Sequence, residues 1–155
     1  MSSGIQIRRA VEADVDGMSA LLKSLFSIEA DFSFDASKQE RGLKSLIAQD
    51  ASKACALVAV DATGKVVGMV TMQLVISTAE GAPSGWIEDM VVDASLRRQG
   101  LGRKLLQAIV EWGASQGATR FLLLADKNNV SALEYYKQMG WAGTSLICLR
   151  SFARN

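Results

Sequence analysis

The stretch from Trp86 to Arg103 constrains this chain more than any other: Trp-Ile-Glu-Asp-Met-Val-Val-Asp-Ala-Ser-Leu-Arg-Arg-Gln-Gly-Leu-Gly-Arg. Ile87, Met90, Val91 and Val92 are apolar and rich in β-branched side chains, which predicts a strand from Trp86 to Asp93. Asp93-Ala94-Ser95 turns the chain, and Gly100-Leu101-Gly102 opens a helix. The first amides of a helix have no intrahelical partner, and two glycines leave them uncovered by side chains. Together with the positive end of the helix dipole they make a place for a phosphate or pyrophosphate. Arg97, Arg98, Arg103 and Lys104 add positive charge at the same point. A lone glycine pair is a weak motif, since it also fits a tight turn beside a solvated basic face. It is not a Walker loop, because no Gly-Lys-Ser/Thr follows. Nor is it a dinucleotide fingerprint, which needs a third glycine.

The rest of the chain supplies the elements around this unit. Ile5 to Arg8 alternates as a short strand, and Glu12-Ala-Asp14 starts a helix whose stripe is Val15, Met18, Leu22 and Leu25. Ser37–Gln49 reads as a second helix, Cys55–Asp61 and Lys65–Thr78 as strands, and 79–84 as a loop holding the only proline. Gly68 marks a bulge or a close approach. Leu101, Leu105, Ile109 and Trp112 share a helix face, with Gly113 and Gly117 at or past its end. Arg120–Ala125 is a strand wholly apolar after its first residue, expected at the buried centre of a parallel pair. Val130–Met139 is a helix, and Leu146–Leu149 a last strand. The expected fold is α/β: a mixed sheet in one domain, 1–155, with a βαβ unit (86–93, the glycine-led helix, 121–124) and helices on both faces.

Composition enters by exclusion. With 155 residues, 49% of them apolar, the chain can bury a core without disulfides or metals. Seventeen basic against sixteen acidic residues argue against a nucleic-acid binder. There is no histidine, which excludes Ser-His-Asp or Cys-His catalysis and every His-ligated metal. Cys55 and Cys148 lie among apolar residues and read as buried, inert thiols, so no metal site is expected. No apolar run has the length of a membrane span, and the polar N-terminus is no secretory signal; a cytoplasmic setting is expected. Between Ser27 and Asp35, Glu29, Asp31 and Asp35 with Phe32 and Phe34 suit capture of a cationic amine, although such loops are also simply solvated surface.

Arg97-Arg98-Gln99-Gly100-Leu101-Gly102 after a strand resembles the signature of the GNAT superfamily of acyl-CoA-dependent N-acyltransferases, Arg/Gln-x-x-Gly-x-Gly/Ala. A second stretch, Asn129-Val-Ser-Ala132-Leu-Glu-Tyr135-Tyr136-Lys-Gln-Met-Gly140-Trp141, is similar to that family's other motif, in the expected order and separation. The resemblance implies a GNAT-like, mostly antiparallel sheet and a single acetyltransferase domain using acetyl-CoA, with coenzyme A as product. It assigns the cofactor to Met90, Val91 and Val92, to the segment Arg97, Arg98, Gln99, Gly100, Leu101, Gly102 and Arg103, and to Asn129, which is also a natural helix N-cap. It places a bulge or free amides at Met90 to Val92, which the residue types alone do not show. Tyr136 matches the proton donor to the coenzyme A thiolate, and the Tyr135–Tyr136 pair also fits ordinary helix packing. Glu88 is the chosen base, with Asp89 beside it. Trp86 stands where histone-directed members carry a glutamate, so a small-molecule amine is the expected acceptor, met by Glu29, Asp31, Phe34 and Asp89. A homodimer is common in that family. Two other classes fit parts of the pattern: a non-catalytic acyl-CoA sensor, and a plain nucleotide-binding βαβ domain.

Overall fold

A computed structural model describes residues 4–29 and 31–153. The chain divides into two compact units, residues 1–124 and 125–155. The larger unit is a five-stranded sheet in sequence order: β1 (Gln6–Arg9), β2 (Ala54–Val60), β3 (Val66–Ser77), β4 (Ala82–Val92) and β5 (Arg120–Leu123). The first three pairings are antiparallel, and β4–β5 is parallel. Between β1 and β2 lie α1 (Val15–Phe26), entered through one turn of 3-10 helix at Glu12–Asp14, and α2 (Ala36–Ala48). Between β4 and β5 lies α3 (Leu101–Ser115). The parallel pair with its helix between is the expected βαβ unit. No helix among the described residues is long and apolar enough to cross a membrane.

Helices cover both faces because β3 serves both. Met69 joins Val15, Met18, Leu22 and Leu43 of α1 and α2 in one buried cluster with Val58 and Val91. On β3, Gly68 and Met72 instead meet α3: a Cβ on Gly68 would come 2.9 Å from Leu105 Cδ1, and one on Gly113 would come 2.7 Å from Met72 Sδ. Strand side chains alternate between faces, so odd and even positions carry different helices. Arg8 of β1 anchors the start of α1. Its guanidinium pairs both nitrogens with Asp14, at 2.7 and 3.0 Å, while Asp14 Oδ2 also accepts the Val11 amide at 2.8 Å. The Arg8 hydrogen bonds hold the Asp14 carboxyl below its usual range.

Several boundaries differ from expectation, each for a physical reason. β4 begins at Ala82 and includes Pro83, read from sequence as loop. The Pro83 carbonyl accepts from the Thr119 amide at 3.1 Å, so the missing N–H faces that same edge and the ladder with β3 loses nothing. α3 runs through Gly113, which is buried where Met72 and Phe121 pack, and Gly117 at φ 96° follows the helix end. β5 is half-buried along its length and pairs with β4 alone among the described strands, rather than lying at a buried centre.

The smaller unit holds α4 (Val130–Gln138). The strand expected at Leu146–Leu149 is absent: residues 141–153 form no helix or strand. Leu146, Ile147 and Leu149 are exposed, and so is Cys148, which was expected to be buried; Cys55 is buried as expected. An apolar run becomes a strand only when another edge takes its backbone groups, and no described residue pairs with this one.

The seating of α3 is open to test. A Cβ added at Gly42 in α2 would have nothing within 4 Å, whereas at Gly113 a Cβ meets both Met72 and Phe121 at 2.7 Å. Gly42→Ala should stabilise by roughly 0.5–1 kcal/mol through helix propensity. Gly113→Ala gains the same propensity but overpacks, and should cost roughly 1–3 kcal/mol net. Urea unfolding of the two variants decides it, and equal stabilisation by both would show that Met72 and Phe121 yield freely.

Candidate active site

The site grows from a change of partners along β4. Its pairing with β5 ends at Ile87–Leu123, while its pairing with β3 continues to Val92. From Glu88 to Val92 the β5-side edge of β4 is therefore taken by no strand among the described residues. Such an edge offers backbone donors and acceptors to an extended ligand lying beside it like an added strand. A β-bulge falls in the same segment. Met69 pairs with Val91 and Thr71 with Glu88, leaving Val70 alone opposite both Asp89 and Met90. Asp89 takes a left-handed φ of 55°, a conformation costing about 1–2 kcal/mol for most residues and least for Asp or Asn.

After Val92 the chain turns. Asp93 caps the turn by accepting the Ser95 amide at 3.0 Å and is paired with Lys65 at 3.4 Å. Arg97 Nε returns to the Val92 carbonyl at 3.3 Å. Arg98 at φ 65° and Gly100 at φ 83° are both left-handed, which in a turn directs successive amides to one side as in an anion-binding nest. Gly100 is the N-cap of α3 and makes no side-chain cap, and the first turn carries no acidic residue. The helix start thus keeps its partial positive charge. Arg97, Arg98, Gln99, Arg103 and Lys104 are exposed around it. Leu101 turns its side chain into the core, 3% exposed, so only its backbone can serve a ligand. These residues fit a pyrophosphate at the helix start and a pantetheine-like arm along β4. A groove of about 480 Å³ borders the turn at Asp93 and Ala94, and none of the sequence-derived site residues lines it.

The carboxylates separate into distinct roles. Glu88 is exposed, and its Oε1 accepts the Trp86 indole N–H at 2.7 Å. Asp89 is half-buried. Burial first, then the neighbouring charges of Glu88 and Glu29, push its carboxyl up to about 6. Glu29 follows α1, so the fold brings a second segment close enough to act on β4. Asp35 is otherwise engaged: it is the N-cap of α2, accepting Ser37 N at 3.1 Å and Ser37 Oγ at 2.8 Å. Asp31 is exposed, Phe32 stacks on Phe26 with centroids 5.4 Å apart, and Phe34 lies under Lys23 Nζ at 5.8 Å. The loop read as one acidic patch is therefore divided between capping, ring packing and the neighbourhood of Asp89.

In the smaller unit Asn129 is the N-cap of α4, its Oδ1 accepting the Ala132 amide at 3.1 Å. Tyr135 and Tyr136 are both half-buried with ring centroids 5.8 Å apart, and Tyr136 meets Trp141 edge-on at 6.2 Å. Neither tyrosine is sunk in a core. Sequence reasoning missed Trp86 as the holder of Glu88 and Thr71 as the partner of the bulge. An indole two strand positions from a carboxylate was the available signal for the first. For the second it was a lone hydroxyl in the buried run Val66–Met72.

Residues 21–141 match the Acetyltransferase (GNAT) family. A glucosamine 6-phosphate N-acetyltransferase from Trypanosoma brucei brucei is 32% identical over 80 residues, 51% of this chain and 52% of that protein. The match thus spans about half the length of that curated relative. Among solved structures, a "possible acetyltransferase" from Clostridium difficile 630 superposes with a TM-score of 0.84 at 20% identity, over 97% of this chain and 99% of that one. An aminoglycoside acetyltransferase from an uncultured soil metagenomic sample, in complex with sisomicin, gives 0.76 at 22% identity, over 98% and 97%. At those identities the structures speak for the fold. The family match, which covers well over half the chain and includes both the bulged strand and the glycine turn, places this protein in the Acetyltransferase (GNAT) family.

Proposed function

We propose that this chain transfers an acetyl group from acetyl-CoA to the primary amine of a small cationic acceptor by direct attack, releasing coenzyme A. The observation that carries the reading is β4, which loses its β5 partner at Ile87 and bulges two residues later, beside an uncapped helix start. Acetyl-CoA supplies the acetyl group as an activated thioester. The amides of Arg98, Gly100, Gly102 and Arg103 hold the pyrophosphate, with Arg97 and Gln99 beside them. The open edge from Met90 to Val92 takes the arm and offers amide donors to the acyl oxygen. Donors of that kind, fixed in place beforehand, are worth about 3 kcal/mol to a transition state.

The proton steps fall to side chains. The ammonium first gives one proton to a carboxylate. The free amine then forms the new C–N bond as the C–S bond breaks, and the second proton it sheds in becoming an amide balances the one the thiolate takes up. Sequence reasoning chose Glu88; the geometry favours Asp89, because Glu88 is engaged by Trp86 while Asp89 is half-buried with its carboxyl raised to about 6. In our reading Glu88 and Glu29 attract the ammonium, and Asp31 and Phe34 border its approach. Tyr136 Oη gives the departing sulfur its proton, an assignment supported by the tyrosine's place in its motif. A primary amine as acceptor is supported by these carboxylates and by the amino sugars in the relatives' names. A homodimer fits the exposed apolar side chains of Leu146, Ile147, Leu149 and Phe152.

The first test is thiol release from acetyl-CoA across a panel of small amines, with kcat followed against pH. Asp89 must be ionised to accept a proton, so kcat should rise through about pH 6 and level above it. Asp89→Asn should remove that limb and lower kcat by roughly 10²–10⁴-fold, with Glu88→Gln costing less than about tenfold. A limb that persists in Asp89→Asn would return the base to Glu88 or water, and cofactor binding without turnover on any amine would favour a sensor. The second test is Tyr136→Phe, which should slow kcat by roughly 10²–10⁴-fold at unchanged acetyl-CoA affinity, while Tyr135→Phe stays near wild type. Wild-type turnover by Tyr136→Phe, with chemistry limiting, would mean that solvent protonates the thiolate.

A further inference from the structure

Within the buried run Val66–Met72 of β3, Thr71 is the one polar side chain, and it is 3% exposed. Valine would fill the same volume and suit a strand as well, so the hydroxyl needs a reason. A buried hydroxyl must also have a partner. Here Thr71 Oγ1 donates to the Glu88 carbonyl at 3.0 Å. That carbonyl belongs to the peptide joining Glu88 to Asp89, where the register shifts and Asp89 turns left-handed. The bond therefore reaches across from β3 and fixes the first peptide of the bulge. Without it the flanking pairs Met69–Val91 and Thr71–Glu88 would still impose the bulge, but the peptide between Glu88 and Asp89 would be free to tilt.

We infer that Thr71 is a positioning residue for acyl transfer: its buried hydroxyl clamps the Glu88–Asp89 peptide and so holds the Asp89 carboxylate at the reacting amine. The inference rests on the function proposed above, in which Asp89 takes the amine's proton. The charges that act on Asp89 are those of Glu88 on its own strand and Glu29 after α1, and both are carboxylates. Thr71 carries no charge, so it acts through orientation and burial of Asp89 rather than by adding to that field. A misplacement of about 1 Å costs on the order of 10²-fold in rate for a positioned group.

The test compares Thr71→Val, which keeps shape and deletes the donor, with Thr71→Ser, which keeps the donor. Thr71→Val should lower kcat by roughly 10–100-fold. Thr71→Ser should restore most of it. In an Asp89→Asn background the Thr71→Val effect on kcat should vanish, because residues acting through one another are not additive. A ¹³C titration of the Asp89 carboxyl gives a readout independent of turnover. The carboxyl should titrate near 6 in the wild type and Thr71→Ser, and move towards the ordinary aspartate range in Thr71→Val as the freed peptide tilts the carboxyl into water. If Thr71→Val does not fold, Thr71→Cys, with its weak thiol donor, takes its place. An unchanged titration and unchanged kcat in a folded variant would overturn the inference, as would an equal loss of kcat with and without Asp89. A wild type that turns over no amine would refute the proposed function, and the carboxyl titration would still decide whether Thr71 sets the environment of Asp89.

Discussion

β4 cannot keep two neighbours along its whole length, and the site follows from how it lets one of them go. Up to Ile87 it is the inner strand between β3 and β5; beyond Ile87 it pairs with β3 alone. A strand released on one side would ordinarily be a liability, because unpaired backbone groups invite another chain. The bulge changes the character of that edge. One extra residue opposite Val70 bends the strand and interrupts the ladder, so the free segment is short and re-aimed rather than a long flat template. The thioester arm proposed above would satisfy the same backbone groups that the parting leaves open.

The second constraint is the close seating of α3. Gly68, Gly85 and Gly113 leave room for Leu105, Met72 and Phe121, so the helix packs directly on β3 and β4. Its start then follows β4 after a short turn, and the positive end of the helix falls at the end of the opened strand. The two halves of the proposed cofactor site are thus set by one packing arrangement. Electrostatics divides the site by sign. Arginines and Lys104 surround the helix start, while Glu29, Glu88 and Asp89 gather at the bulge. An anionic cofactor and a cationic acceptor would each meet complementary charge.

Much of this was legible in the residues. The run of β-branched residues, the polar turn and the glycine pair located strand, loop and helix start. The all-apolar stretch after Arg120 identified the parallel partner. The bulge was not legible, because residue types in a strand do not report register; only the family resemblance implied it. Pro83 hid the first part of β4, since a proline in a strand is harmless only when its missing N–H faces an unneeded position, and that depends on pairing. Asp35 looked like part of an acidic patch because the patch was read by charge. Its place before Ala36-Ser37-Lys38, with Gln39 Oε1 returning to the Asp35 amide at 2.7 Å, makes it a helix cap. Leu146–Leu149 has strand-like composition, but composition cannot supply the partner edge that a strand needs.

The central claim is that the opened edge of β4 and the start of α3 together hold one ligand. Backbone amide NMR of the isotope-labelled full chain, titrated with coenzyme A, tests it without depending on any acceptor or on turnover. The account predicts shifts concentrated at Met90 to Val92 and at Arg98 to Arg103, both sets saturating with a single dissociation constant. Shifts confined to exposed arginines, or two sets saturating independently, would contradict it.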